Sequence, residues 1–200
     1  MARPHKHDRA AVLETATSLF WEWGFQGVSI KDLVEETGML AGSFYASFGS
    51  KEGLFIECIH HYAHLTARHY EAAQRARSPL KQIESLLRNL ESDSLAHGDR
   101  RACFMINTLL EIAPRHPSIS KVLKQYLELS ETWIEGRLEA AKEAGELDPK
   151  TDSKKLAACI FGVTYAVRVK ARAGESVDRL RYYRKTVFGA LVDPWRIAAE

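Results

Sequence analysis

The stretch GFQGVSIKDLVEETGMLAGSFYASFGSKEGLF, Gly24–Phe55, decides how the chain is read. Ser29 stands directly before Ile30, Leu33 and Val34, an apolar face at helical spacing, and Gly38 follows where such a helix ends. After GMLAG comes a second short helical segment in which Phe44 and Phe48, four residues apart, share one face. Tyr45 lies about 100° around the helix from Phe44 and points outward. Gly49 and Ser50 then break the run, and Lys51 opens a further helix. Two short helices joined by a tight Gly-containing turn form a helix-turn-helix, whose second helix enters the DNA major groove.

Working outward, Val12, Leu13, Ala16, Leu19, Phe20 and Trp23 recur at steps of three and four, so a first helix of about four turns precedes Gly24. Downstream of Lys51 the apolar face is Leu54, Phe55, Ile59, Tyr62 and Leu65. Longer helices follow: Leu80 to Leu95, Arg101 to Ala113 with Pro114 as stop, Ile119 to about Ala144, Lys154 to Ala173, and Val177 to Val192. GELDPKTDS is the clearest loop. No strand alternation or repeat period is present, so the expected class is all-α, about nine helices. The expected division is a head over 1–52 and a larger helical body over 53–200.

Two hundred residues with 46% hydrophobic content suffice for a buried core. No apolar run reaches the roughly 20 residues needed to span a bilayer, and MARPHKHDR lacks the apolar stretch of a secretion signal, so a cytoplasmic protein with no membrane partner is expected. The three cysteines, Cys58, Cys103 and Cys159, have no paired spacing and are expected to be reduced. A formal net charge of +2 does not by itself point to nucleic acid, because phosphate binding needs clustered cations. A DNA function must therefore rest on the motif.

That motif resembles the DNA-binding head of the TetR family of bacterial transcriptional repressors over residues 10 to 56. It has the Gly-Phe pair, the Ser that opens the second helix, the aromatic pair with a Phe three residues on, and Ser-Lys-Glu-x-Leu. The resemblance implies a homodimer on a palindromic double-stranded operator, with no enzymatic activity, no cofactor and no metal. It implies that Ala41, Gly42, Ser43, Ala46 and Ser47 face bases while Ser29, Tyr45 and Lys51 grip phosphates. Lys51 also has a physical ground: a cation in a first helical turn opposes the dipole unless an anion is nearby. Ala41 departs from the commoner Lys or Arg, and none of these small side chains makes a bidentate guanine contact, so DNA shape and the arm residues Arg3 and Lys6 are expected to assist.

For the body the resemblance implies an inducer pocket, with Tyr62, Leu65, Leu87, Cys103, Phe104, Met105, Asn107, Leu110, Tyr126 and Trp133 as candidates and an apolar or electrophilic small molecule as ligand. Cys103 follows two arginines at an expected helix start, a setting that favours a reactive thiolate. Cys58 and Cys159 sit in apolar contexts and are expected to pack. The helix KLAACIFGVTYAVRV is apolar nearly all round and needs cover on more than one side. A partner copy is expected to bury Ile160, Phe161, Val163, Tyr165, Tyr182, Val187, Phe188 and Leu191 in a four-helix interface. His60 and His64 share a face, but no Cys, Asp or Glu completes a metal set. The rival from another class is a small thiol enzyme using Cys103 with His97 or His116. It requires turnover without DNA binding.

Overall fold

The computed structural model describes residues 8–95, 101–112 and 115–197. Among them nine α-helices run in the order α1 Arg9–Gly27, α2 Ile30–Thr37, α3 Ala41–Phe48, α4 Lys51–Gln74, α5 Pro79–Leu95, α6 Phe104–Glu111, α7 Pro117–Glu143, α8 Ser153–Arg172 and α9 Val177–Val192. A 3-10 turn, Asp193–Trp195, closes the described chain. The fold is all-α with an N-terminal helix-turn-helix, as the sequence predicts. None of these helices is long and apolar enough to cross a membrane. The described chain separates into two compact units, the first up to Leu65 together with Phe104–Leu123, the second Thr66–Cys103 with Lys124 onward. Thus α6 and the first turns of α7 pack with the N-terminal helices.

Caps written in the sequence set the first unit's short helices. Asp8 accepts from the amide of Ala10 at the start of α1. Ser29 Oγ accepts from Asp32 N while Asp32 accepts from Ser29 N at 2.8 Å, a reciprocal capping box. Gly38 ends α2 at φ 67°, the left-handed region open to glycine. Gly53, in the first turn of α4, lets the carbonyl of Phe48 approach so closely that a Cβ there would lie 2.1 Å from that oxygen. Arg9 Nη2 reaches both carboxylate oxygens of Glu57 at 2.6 Å, tying α1 to α4, and the guanidinium carbon Cζ lies 4.8 Å from the centre of the Phe48 ring.

Aromatic side chains fill this unit. Phe20, Phe44, Phe55 and Phe104 are all but inaccessible, and Phe55 meets Phe20, Phe25 and Phe104 at ring separations of 4.7, 4.9 and 5.4 Å. Each such pair adds about 0.5–1.5 kcal/mol beyond the area it buries. Two apolar expectations fail here. Trp23 is 64% exposed and Leu65 is 44% exposed, because the buried ridge of α1 is Val12, Ala16 and Phe20, and Leu65 lies off the buried ridge of α4 that runs through Phe55, Cys58, Ile59 and Tyr62.

The second unit is built on Leu80, Ile83, Leu86, Leu87 and Leu90 of α5, Ile134 and Leu138 of α7, Ile160 and Phe161 of α8, and Phe188 of α9. Glu146 caps α5, accepting from Ser78 Oγ and Leu80 N at 3.2 Å each. An ion pair crosses the core: Glu91 on α5 accepts from Arg184 Nε on α9, both nearly sealed from solvent, with Arg181 at 3.8 Å. Burial of Ile160, Phe161, Val163 and Phe188 within their own chain corrects the expectation that they form the subunit interface. Helix α8 gains that cover from α5 and α9. Its exposed positions include Ala158, Cys159 and Val169, and those of α9 include Tyr182, Thr186 and Ala190. Cys159 is accordingly on the surface, contrary to its expected packing, whereas Cys58 is buried.

Candidate nucleic-acid interface

Helix α3 presents two opposite faces. Phe44 and Phe48 are buried and tilted against each other at 5.7 Å, so the helix is braced from behind. Ala41, Gly42, Tyr45, Ala46 and Ser47 are exposed and Ser43 half-buried. The structure therefore brings the expected base-facing residues onto one uncovered surface. Tyr45 is 51% exposed with its ring edge-on to Phe44 at 5.5 Å, which fixes the ring and leaves the hydroxyl outward. Leu40, at 74% exposure just before α3, joins that face although the sequence reading passed it over.

Ser29 is exposed at the head of α2, but its hydroxyl oxygen and amide are committed to the capping box. Hydrogen bonds from Ser29 hold the Asp32 carboxyl below the usual carboxylate range. Lys51 departs further from expectation. Its Nζ donates to the carbonyls of Phe25 and Val28 at 2.9 Å each and stands 4.3 Å from the Phe25 ring. The anion inferred to offset its position in the first turn of α4 is thus replaced by two carbonyl oxygens at the end of α1. Burial pulls the Lys51 amine below its ordinary range, with Glu111 opposing. Arg3 and Lys6 lie outside the described residues, as does His97.

The joint between α1 and α2 involves residues to which the sequence reading assigns no part in DNA binding. Gly24 interrupts α1 at φ 75°, ψ 170°, and Glu111 at the end of α6 accepts from the amides of Phe25 at 3.3 Å and Gln26 at 3.1 Å. His116 packs edge-on against Phe25 at 4.9 Å and meets Glu52 at 3.4 Å, and Ser118 donates to the same carboxylate. These bonds hold the Glu52 carboxyl below its ordinary range. Gly24 was the one legible sign of this joint, since acidic partners some 85 residues downstream leave no local pattern.

The expected ligand residues divide between the two units. Tyr62 and Phe104 meet at 5.6 Å inside the first unit's aromatic cluster, with Met105 buried and Asn107 half-buried beside them in sequence. Leu110, 69% exposed, and Leu65 line no interior surface. In the second unit Tyr126 and Trp133 are half-buried on α7, Trp133 edge-on to Tyr70 at 5.4 Å, and Tyr70 donates to Ser130 at 2.7 Å. Cys103 does sit at the start of α6, as expected, but is 1% exposed and follows Ala102 at φ 55°. Of the set, Leu87 borders a small, partly open pocket of the second unit with a volume of about 10 Å³, whose other walls include Leu90, Glu91, Val163, Thr164, Val167, Arg168 and Arg184. Burial pushes the Tyr165 hydroxyl up to about 12, so that side chain stays a neutral donor.

The family model described as bacterial regulatory proteins, tetR family, matches residues 12–58, and that of a tetracyclin repressor-like C-terminal domain matches residues 79–187. The chain is 31% identical to the HTH-type transcriptional repressor ComR of Escherichia coli (strain K12), covering 89% of this chain and 86% of the relative. It is 28% identical to the uncharacterised HTH-type transcriptional regulator YezE of Bacillus subtilis (strain 168), covering 90% and 94%. Among solved structures, a cysteine mutant of the TetR family transcriptional regulator CifR, complexed with 26-bp double-strand operator DNA, superposes with a TM-score of 0.86 at 28% identity. That match covers 94% of this chain and 99% of the other. The reduced form of E. coli NemR shares the fold, with a TM-score of 0.80 at 20% identity over 90% and 94% of the two chains.

Proposed function

Because the chain belongs to the tetR family of bacterial regulatory proteins, we propose that it is a repressor that binds a palindromic operator as a homodimer and is released by a small ligand or by thiol modification. The observation that carries the DNA part is the two-faced α3, sealed behind by Phe44 and Phe48 and open in front from Ala41 to Ser47. In this reading the Tyr45 hydroxyl and one remaining Lys51 proton meet phosphates, as do the Ser29 hydroxyl proton and the arm residues Arg3 and Lys6. Ser43 and Ser47 donate to base edges and the Ala46 methyl touches a thymine methyl. DNA contacts thus fall in 1–52, and ligand and dimer surfaces in 53–200. The subunit face is the exposed side of α8 and α9 with Val169 and Tyr182. Release requires a ligand, apolar or electrophilic, with unequal affinity for operator-matched and unmatched conformations. The buried Cys103 is the thiol candidate.

The decisive experiment is selection of bound fragments from genomic DNA by the purified protein at several salt concentrations. We expect an inverted repeat with half-sites about one DNA turn, roughly 34–36 Å, apart or a little more. Tyr45→Phe should weaken matched and mismatched duplexes alike, whereas Ser47→Ala should change which bases are preferred. A wild-type protein that retains no duplex even in dilute buffer removes the proposal.

A further inference from the structure

Helix α1 does not end cleanly before the helix-turn-helix. Gly24 leaves helical geometry, and the chain re-enters a last turn over Phe25–Gly27, so the amides opening that turn have no carbonyl one turn behind them. The Glu111 carboxylate supplies the missing acceptors, one oxygen to Phe25 N at 3.3 Å and the other to Gln26 N at 3.1 Å. The fit is close: a Cβ on Gly24 would lie 2.7 Å from a carboxylate oxygen of Glu111. Carbonyls of the same segment, Phe25 and Val28, are held by Lys51 Nζ. Val28 leads directly into Ser29, the cap of α2. The five residues that aim α2, and through its tight turn α3, are therefore gripped on their N–H side by an anion and on their carbonyl side by a cation.

We propose that Glu111 is a positioning residue for DNA recognition: by capping the amides of Phe25 and Gln26 it fixes the α1–α2 joint and so sets the pose of α3 against base edges. This rests on the DNA-binding reading above. Glu111 touches no DNA in this scheme. Its loss blurs base readout while phosphate contacts, which tolerate small rotations, persist.

The test compares affinity for the selected operator with affinity for a scrambled duplex of equal length, in wild type, Glu111→Ala and Glu111→Gln. We expect Glu111→Ala to cut the operator-to-scramble ratio about fivefold, the scale of one lost capping interaction. Glu111→Gln, whose side-chain oxygen still accepts one amide, should recover part of that ratio. A partly unfolded variant would instead lower active protein equally for both duplexes and leave the ratio alone. Hydrogen exchange of the Phe25 and Gln26 amides, measured on the full protein without DNA, should quicken in Glu111→Ala. An unchanged ratio with unchanged exchange overturns the inference. So does faster exchange with an unchanged ratio, which makes the contact a local cap only. If wild type binds neither duplex, the DNA reading itself falls, and the inference with it.

Discussion

Lys51 shows how a residue-scale inference can have a sound premise and a different resolution. A cation in a first helical turn does need a compensating negative group. The sequence offered DNA phosphate, but carbonyls of Phe25 and Val28, more than twenty residues upstream, supply it within the chain. Ser29 was legible because a cap is a local device. Its partner Asp32, an acid three residues on, completes the same local device. Ser29→Ala should cost about 1 kcal/mol of stability, read from urea unfolding. Hydrogen bonds lower the folded pKa of both Asp32 and Glu52 below its unfolded value. Their stabilisation is thus fully present above the unfolded carboxylate range, about pH 4, and lost as pH falls through the folded values. Asp32→Asn and Glu52→Gln should each flatten the acid limb of a stability-against-pH curve; an acid limb identical to wild type in both variants would contradict this account.

At the scale of the element, the bounds of α8 were legible to within a residue at each end, but what covers it was not. A helix apolar nearly all round announces that it is covered but not by what. Ile160, Phe161 and Val163 were assigned to a partner copy and instead face α5 and α9. The start of α6 was also set early, at Arg101 rather than Phe104, because composition cannot reveal the left-handed torsion of Ala102 that breaks the run. Between α5 and α9 the buried Glu91–Arg184 pair ties two helices far apart in sequence. Removing one ion strands the other, so Glu91→Ala should cost about 3–5 kcal/mol by urea unfolding. The double change Glu91→Leu, Arg184→Met should cost far less, because neither charge is then left buried alone. Equal losses in the single and double variants would show that packing, not charge, dominates there.

For the whole molecule, all-helical architecture and the head were readable because both rest on short-range periodicity and caps. The grouping of Phe104–Leu123 with the N-terminal helices was not, since it depends on contacts that no window of sequence contains. The thiols give a global check. Cys58 is buried and its pKa is pushed up to about 12 by desolvation, whereas Cys159 is exposed on the face assigned to the partner subunit. A neutral maleimide at pH 7 should label Cys159 first and leave Cys58 unmodified in the folded protein. Labelling of Cys159 should slow as protein concentration rises through the dimerisation range; a rate independent of concentration would place the subunit contact elsewhere. Finally, Ala102 holds its backbone at φ 55°, where an L-residue other than glycine sits about 1 kcal/mol above relaxed geometry. Since RT is about 0.59 kcal/mol, relaxing this one torsion offsets a factor of about five in the cost of any rearrangement that frees it, so the peptide ahead of Cys103 carries a standing preload.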